Sequence, residues 1–181
     1  MVNILVIHGA YGSPEENWIP WLKKELESLG HTVIVPKFPT PENQTLDKWL
    51  AVFEEFRQFL SGAIVVGHSL GVAFLLNILE SNRAKAAFFV AGVSGPLDNK
   101  YDPTMTTFSH RKFDWNKIRK HCRKFYVFHS DSDPYIPLEK GQGLADNLGV
   151  RLIFVPNAGH FNAASGYTTF SLLLDKIKEE L

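Results

Sequence analysis

The segment Gly67-His68-Ser69-Leu70-Gly71 places a serine between two glycines, each two residues away. An apolar run, Ala63-Ile64-Val65-Val66, precedes it, and a second apolar run, 72–76, follows it. This order predicts a strand, a tight turn and a helix, the context in which Gly-x-Ser-x-Gly forms a nucleophile elbow. Such a turn needs small residues on both sides of the serine, because the strand and the helix approach closely. The pattern therefore predicts a strained turn that exposes the Ser69 hydroxyl at the edge of a sheet.

A serine hydroxyl is a weak nucleophile, so it needs a base and a residue that orients the base. The base candidate is His160, which follows the strand-like run Leu152-Ile153-Phe154-Val155. The acid candidates, Asp131 and Asp133, follow another strand-like run, 125–128. The order serine, acid, histidine is the one expected with this elbow. Since functional side chains gather at the carboxyl ends of parallel strands, we expect the three loops to meet.

Two carboxylates compete for the acid position, and their place after the same strand lets either one reach His160. Pro134 fixes the chain directly after Asp133, and Pro137 can open the next helix at its first position. Asp131 then serves as a solvated turn residue. The prolines therefore favour Asp133 as the acid, with Asp131 as the alternative.

The first predicted strand, 2–7, ends in the loop His8-Gly9-Ala10-Tyr11-Gly12. A tetrahedral intermediate needs two N–H donors on one oxygen, one from the residue after the nucleophile and one from a loop after an early strand. This assigns the N–H groups of Leu70 and Ala10. A dinucleotide-binding loop is excluded, because the segment is not Gly-x-Gly-x-x-Gly and the chain contains no phosphate-binding loop motif.

Four segments together resemble those of an α/β-hydrolase: the His8-Gly9 loop, Gly67-His68-Ser69-Leu70-Gly71, Asp133-Pro134-Tyr135-Ile136-Pro137 and Gly159-His160-Phe161. More narrowly, the chain resembles the small cap-less serine hydrolases grouped with retinoblastoma-binding protein nine. This narrower resemblance rests on segments 13–18, 21–23, 36–39 and 133–137. The resemblance extends over nearly the whole chain. It implies a hydrolase with nucleophile Ser69, acid Asp133 and base His160, and it leaves the substrate open.

Strand-like and helix-like segments alternate along the chain, which predicts a parallel sheet with helices on both faces. At 181 residues the chain suits one domain, 1–181. We expect a three-layer α/β/α sandwich with a mostly parallel sheet, the minimal α/β-hydrolase fold without a cap domain. The expected helices cover residues 20–29, 45–60, 138–148 and 170–181. The long irregular stretch 92–114 is predicted to be a small lid that brings Phe108 or Phe113 towards the site.

Composition excludes several classes of function. Lys plus Arg and Asp plus Glu each number 19, so the formal net charge is zero, and nothing suggests a concentrated phosphate-binding surface for nucleic acid. Seven histidines occur without a His-x-x-x-His or Cys-x-x-Cys spacing, so we predict neither a metal nor a cofactor. A single cysteine, no apolar run long enough to span a membrane and no signal-peptide pattern lead us to expect a soluble, cytoplasmic protein.

The sequence thus predicts a serine hydrolase that transfers an acyl group to water. The favoured activity is that of a carboxylesterase on small, uncharged acyl substrates, with thioester or small-peptide hydrolysis as variants of the same chemistry. Residues expected to contact the substrate are Tyr11, Trp18, His68 and Phe161, with Trp18 mainly a core residue. The alternative is a catalytically silent binding or regulatory module that keeps the fold.

Overall fold

The structure, a computed structural model, describes residues 1–181 and contains six strands and seven helices. The strands are Asn3–Ile7 (β1), Thr32–Ile34 (β2), Ile64–His68 (β3), Ala86–Val90 (β4), Phe125–His129 (β5) and Leu152–Phe154 (β6). The helices are Ile19–Ser28 (α1), Leu46–Phe53 (α2), Leu70–Leu79 (α3), Thr106–Ser109 (α4), Trp115–His121 (α5), Leu138–Leu148 (α6) and Ser171–Lys178 (α7). No helix has both the length and the apolar character needed to cross a membrane.

The strands form one sheet in the order β2-β1-β3-β4-β5-β6, and every neighbouring pair is parallel. In the centre of the sheet, Val65 pairs with Leu5 on one side and with Ala87 on the other. Because all strands run the same way, their carboxyl ends lie along one edge. The loops after β1, β3, β5 and β6 therefore emerge together, as the sequence predicts.

Helices cover both faces of the sheet, so its strands are apolar on both sides. Leu5 and Ile7 of β1 face a core formed with α2, α3, α5 and α6. Ile4 and Val6 face the opposite core, formed with α1 and α7. This arrangement confirms the predicted α/β/α sandwich.

The helix expected over 45–60 ends earlier, at Phe53. Beyond the helix the backbone hydrogen bonds join residues three apart instead of four. The Phe56 N–H donates to Phe53 O, and the Leu60 N–H donates to Arg57 O. Leu60 is nevertheless buried. A short 3₁₀ turn satisfies the spacing of the apolar residues as well as an α-helix does, so the pattern cannot fix the helix end.

The prediction that Phe108 or Phe113 reaches the site from a lid is wrong. Phe108 is fully buried in α4, where its ring packs edge-on against Trp49 at 4.9 Å. Phe113 is 7% exposed and lies 5.5 Å from the ring of Trp115. Both side chains fill the core beside α3 because burial there removes more apolar surface from water than an open cleft would.

Candidate active site

Ser69 lies between β3 and α3 with φ 54° and ψ −118°. A positive φ is strained for a residue with a Cβ, and such strain persists only where the surroundings hold it. Here the Ser69 N–H donates to the carbonyl of Val90 at 2.9 Å, which ties the turn to β4. Ser69 also directly precedes the first residue of α3, so its side chain lies at the positive end of the helix dipole.

The two glycines of the motif allow the close approach that the elbow requires. A Cβ on Gly71 would lie 2.4 Å from the carbonyl oxygen of Ile7, and a Cβ on Gly67 would lie 3.0 Å from the carbonyl group of Gly71. In both cases the obstructing atoms belong to backbone, which cannot rotate away. The close approach of the β1 and α3 backbones therefore explains why positions 67 and 71 require glycine.

His160 and Asp133 form a buried hydrogen-bonded pair, with His160 Nδ1 donating to Asp133 Oδ2 at 2.7 Å. The Asp133 side chain is 0% exposed. Its other oxygen, Oδ1, accepts the N–H groups of Tyr135 at 2.9 Å and Ile136 at 3.1 Å. Because Asp133 accepts on both oxygens, its orientation is fixed, and it fixes the tautomer of the imidazole with Nδ1 protonated.

The charge state of Asp133 follows from the same contacts. Burial alone would raise the pKa of this carboxyl, but the hydrogen bond and the nearby charge of His160, together with the two backbone N–H groups, hold the pKa below its ordinary value. Asp131 is exposed, and its Oδ1 accepts the Asn157 N–H at 2.9 Å. Of the two competing aspartates, Asp133 contacts the imidazole and Asp131 supports the backbone of the adjacent loop.

Ser69 and His160 line the same cleft, as the sequence predicts. Within that cleft, Nε2 of His160 and Oγ of Ser69 make no hydrogen bond. Catalytic hydrogen bonds are often long before substrate binds and tighten in the complex. The arrangement thus leaves the imidazole nitrogen that faces away from Asp133 free to exchange a proton.

Two backbone donors beside Ser69 are unoccupied. The N–H groups of Ala10 and Leu70 make no hydrogen bond, whereas those of Tyr11 and Gly12 donate to Thr40 Oγ1 and Gly9 O. The 8–12 loop lies directly against the serine, since a Cβ on Gly9 would be 2.9 Å from Ser69 Cβ. Ala10 and Leu70 are the residues whose N–H groups the sequence assigned to an oxyanion hole.

Two further histidines are buried near the serine, and burial keeps both neutral. Burial lowers the pKa of His8, whose Nδ1 donates to Gly9 O at 2.9 Å while its Nε2 accepts the Phe38 N–H at 3.1 Å. Burial, and next the neighbouring His160, lower the pKa of His68 to about 3. His68 Nε2 donates to the backbone carbonyl of His160 at 2.8 Å. Each of these histidines therefore holds a loop of the cleft.

The cleft has a volume of about 270 Å³, and two of the four predicted substrate contacts line it. Tyr11 lies at its rim with 53% of its surface exposed, and His68 lies deeper. Trp18 and Phe161 are fully buried and do not line the cleft. Their placement does not agree with direct substrate contact, because the Trp18 indole N–H instead donates to the Phe161 carbonyl at 3.0 Å.

Several residues of the cleft were missed by the sequence reasoning. The stretch 92–114 does reach the site, but through polar and flexible side chains of its 3₁₀ turn rather than through phenylalanines. Tyr135 could have been found, because it lies two residues after Asp133, and its ring is edge-on to His160 at 4.9 Å. The full set of missed residues is Glu16, Asn17, Tyr101, Thr104, Met105, Tyr135, Ile136 and Asn162.

No group of three or more His, Cys, Asp or Glu side chains is arranged to hold a metal ion. The chemistry that the cleft can perform with its own residues is nucleophilic attack and proton transfer. A strained serine, a buried imidazole–carboxylate pair and two free N–H donors all lie at one edge of the sheet.

Comparison with known proteins agrees with this geometry. The sequence model of the family described as serine hydrolase matches residues 4–179. YdeN of Bacillus subtilis (strain 168) is 28% identical over 180 residues, which cover 95% of this chain and 92% of YdeN. Serine hydrolase RBBP9 of Rattus norvegicus is 27% identical over 165 residues, which cover 91% of this chain and 86% of RBBP9.

Solved structures show the same fold. The crystal structure of the B. subtilis ydeN gene product superposes with a TM-score of 0.93 at 26% identity, covering 99% of this chain and 98% of that one. Est1E of Butyrivibrio proteoclasticus, solved with ferulic acid bound, superposes with a TM-score of 0.70 at 17% identity, covering 99% and 89%. The chain belongs to the serine hydrolase family and has the α/β-hydrolase fold.

Proposed function

We propose that this protein hydrolyses small, uncharged carboxylic esters through an acyl-enzyme on Ser69. The observation that carries the proposal is the 2.7 Å hydrogen bond between His160 Nδ1 and the buried Asp133, in the cleft that Ser69 also lines. A binding role alone gives no reason to bury a carboxylate against an imidazole beside a strained serine. Membership in the serine hydrolase family supports the same chemistry.

The reaction follows from the positions of the free groups. His160 Nε2 takes the proton of Ser69 as Oγ attacks the acyl carbon, and Asp133 stabilises the imidazolium that forms. The carbonyl oxygen becomes an oxyanion that accepts the N–H groups of Ala10 and Leu70. His160 then returns the proton to the departing alcohol, and water repeats the sequence to release the acid and regenerate Ser69.

The charge of the cleft supports an uncharged acyl group. Glu16 is the one formally charged side chain that lines the cleft, and it makes no ion pair. Its carboxylate opposes an anionic acyl chain by Coulomb repulsion. The volume of about 270 Å³ suits a short chain. Thioesters and small peptides are variants of the same substrate class, since all present an acyl carbon with a leaving group.

Hydrolysis of p-nitrophenyl butyrate by wild type and Ser69→Ala tests the proposal. Ser69→Ala should lower kcat by at least about 10⁴-fold and abolish labelling by a fluorophosphonate probe, while circular dichroism shows an intact fold. Wild type that neither hydrolyses esters nor reacts with the probe would instead support a silent binding module. Undiminished labelling of Ser69→Ala would place the nucleophile elsewhere.

A charge-matched pair of esters tests the substrate class. Wild type should prefer p-nitrophenyl butyrate to the p-nitrophenyl monoester of succinate, which carries a carboxylate at the end of its chain. Glu16→Gln should raise kcat/KM for the anionic ester by roughly threefold relative to the neutral one, because an exposed charge acts through water. Glu15→Gln is the control, since Glu15 is exposed and does not line the cleft. An equal effect of both variants would contradict the role of Glu16.

A further inference from the structure

The loop that carries His160 has an unfavourable backbone. Asn157, Gly159 and Phe161 have φ values of 57°, 54° and 51°. Positive φ is uncommon for residues with a Cβ, and two of these three residues have one. Such a conformation must be held by contacts from outside the segment, which we call the base loop, residues 157–161.

The first half of the base loop is held through its N–H groups. The three successive N–H groups of residues 157–159 donate to three successive side chains of the loop after β5, each at 2.9 Å. The acceptors are Asp131 Oδ1, Ser130 Oγ and Ser132 Oγ, in that order. These contacts fix the chain up to the residue before the imidazole.

The second half is held through its carbonyl groups by two donors from distant parts of the sequence. The His160 carbonyl accepts from His68 Nε2 at 2.8 Å, and the Phe161 carbonyl accepts from Trp18 Nε1 at 3.0 Å. The two donor rings also contact each other edge-on at 5.8 Å. Trp18 is 0% exposed and His68 is 4% exposed. Neither carbonyl can exchange its partner for water without opening the core.

We propose that His68 and Trp18 are positioning residues for His160, and that together they set the direction in which its imidazole enters the cleft. Asp133 holds the ring at Nδ1 only, so this hydrogen bond by itself would let the imidazole pivot about it. The backbone on each side of His160 fixes the direction of the side chain. His68 and Trp18 hold this backbone at the successive carbonyls of His160 and Phe161. This inference rests on the proposed function, in which Nε2 of His160 must meet the hydroxyl of Ser69.

The size of the effect follows from the geometry that proton transfer requires. A displacement of about 1 Å at a reacting group can cost on the order of 100-fold in rate without direct contact to the substrate. Loss of the Trp18 donor should therefore lower kcat, because Nε2 moves, and leave KM nearly unchanged, because neither Trp18 nor Phe161 lines the cleft. Substitution of a side chain with only a structural role would lower the free energy of unfolding without lowering kcat at unchanged KM.

The experiment compares Trp18→Phe with Trp49→Phe. Trp49 is also fully buried, and its Nε1 donates to the partly buried carbonyl of Pro39 at 2.9 Å, so both substitutions remove a buried indole N–H and leave a carbonyl without its donor. Trp18→Phe should lower kcat for p-nitrophenyl butyrate by roughly 10- to 100-fold with KM within about twofold. Trp49→Phe should lose comparable stability and keep kcat within about threefold. Equal losses of kcat in the two variants, or wild-type kcat in folded Trp18→Phe, would overturn the proposal.

A second pair of variants, His68→Gln and His68→Leu, tests the proposal if Trp18→Phe does not fold. Gln at position 68 keeps an N–H donor at about the reach of imidazole Nε2, whereas Leu does not. His68→Gln should therefore retain most of the kcat that His68→Leu loses. Equal kcat in the two variants would count against the proposal.

A spectroscopic readout reports the position of the imidazole without turnover. The Nδ1 proton of His160 in its bond to Asp133 should give a downfield proton resonance that His160→Ala removes. Trp18→Phe should shift or broaden this resonance, and Trp49→Phe should leave it unchanged. An unchanged resonance in Trp18→Phe would contradict the proposal. If Ser69→Ala retained activity, the proposed function itself would fail, whereas loss of activity in Ser69→Ala with wild-type kcat in Trp18→Phe would remove only this inference.

Discussion

The elbow, residues 67–71, and the base loop, residues 157–161, both place a reactive side chain at the same edge of the sheet, but by different means. The elbow is fixed by sterics close to it, because Gly67 and Gly71 let β3, α3 and the end of β1 touch. The base loop is fixed by side chains that are remote in sequence, with His68 lying 92 residues and Trp18 143 residues away. A short motif can encode the first kind of site, whereas the second exists only once the chain has folded.

The largest loss of activity is expected when the hydrogen bond between His160 and Asp133 is changed. Asp133→Asn should favour the wrong imidazole tautomer and lower kcat/KM on the order of 10⁴-fold, as for the orienting acid of serine hydrolases in general. Asp131→Asn should change kcat/KM by no more than about threefold, since its Oδ1 can still accept the Asn157 N–H and exposed substitutions change free energies by roughly 0.5 kcal/mol. Measuring kcat/KM for both variants on one ester decides the matter. A larger loss for Asp131→Asn would reverse the assignment of the acid.

The next prediction concerns the free energy of unfolding and tests whether steric contacts fix the elbow. A Cβ at position 71 would meet the carbonyl oxygens of Ile7 at 2.4 Å and His8 at 2.8 Å. Gly71→Ala should therefore lower the free energy of unfolding by about 3 kcal/mol, as expected for overpacking against backbone. A Cβ on Gly143 in α6 would have no atom within 4 Å, so Gly143→Ala should instead stabilise the protein by about 0.5–1 kcal/mol. Urea unfolding of both variants measures the difference, and similar stabilities would show that the elbow can relax.

Part of this contrast could be predicted from the sequence. The elbow, the acid–base order and the parallel sheet follow from local patterns. Ser69 and Ala10 were predicted as site residues on that basis, and Asp133 with the help of the family resemblance. Trp18 was expected to be mainly a core residue that also contacts substrate, and Phe161 was expected to contact substrate. Nothing in the sequence indicated that Phe161 is buried or that a hydrogen bond joins the two residues.

The same limit applies to the stretch 92–114. Its phenylalanines suggested a lid, yet they pack into the core, and the cleft is lined by Tyr101, Thr104 and Met105. Which side of an irregular segment faces the core depends on the packing of helices far away in sequence. Periodicity, which identified α6 and most strands, carries no information where the backbone is irregular.

A smaller effect, on the pH dependence of stability, involves both regions. His68 belongs to the elbow and donates a hydrogen bond to the base loop. Burial lowers the pKa of His8, His68 and His129 in the folded protein, that of His68 to about 3. The unfolded chain binds protons on these groups more readily, so their contribution to stability is complete above about pH 6.5 and is lost as the pH falls below it. Each group can contribute a slope of up to about 1.4 kcal/mol per pH unit.

Unfolding free energies between about pH 6.5 and 5.5 measure this contribution, because carboxyl groups with ordinary pKa values of about 4 stay largely ionised there. Wild type should lose stability steadily over this interval, and His68→Gln should show a slope smaller by the equivalent of about one proton. A slope unchanged in His68→Gln would mean that His68 is protonated in the folded protein.

The central claim is that Ser69, His160 and the two free N–H groups act on one reacting carbon. A crystal structure of the protein after reaction with a small fluorophosphonate tests it most directly, because the bound phosphoryl group mimics the tetrahedral intermediate. We predict a single covalent bond to Ser69 Oγ, with one phosphoryl oxygen accepting the N–H groups of both Ala10 and Leu70 and with His160 still bonded to Asp133. A bond to another residue, or a phosphoryl oxygen directed away from both N–H groups, would contradict the account.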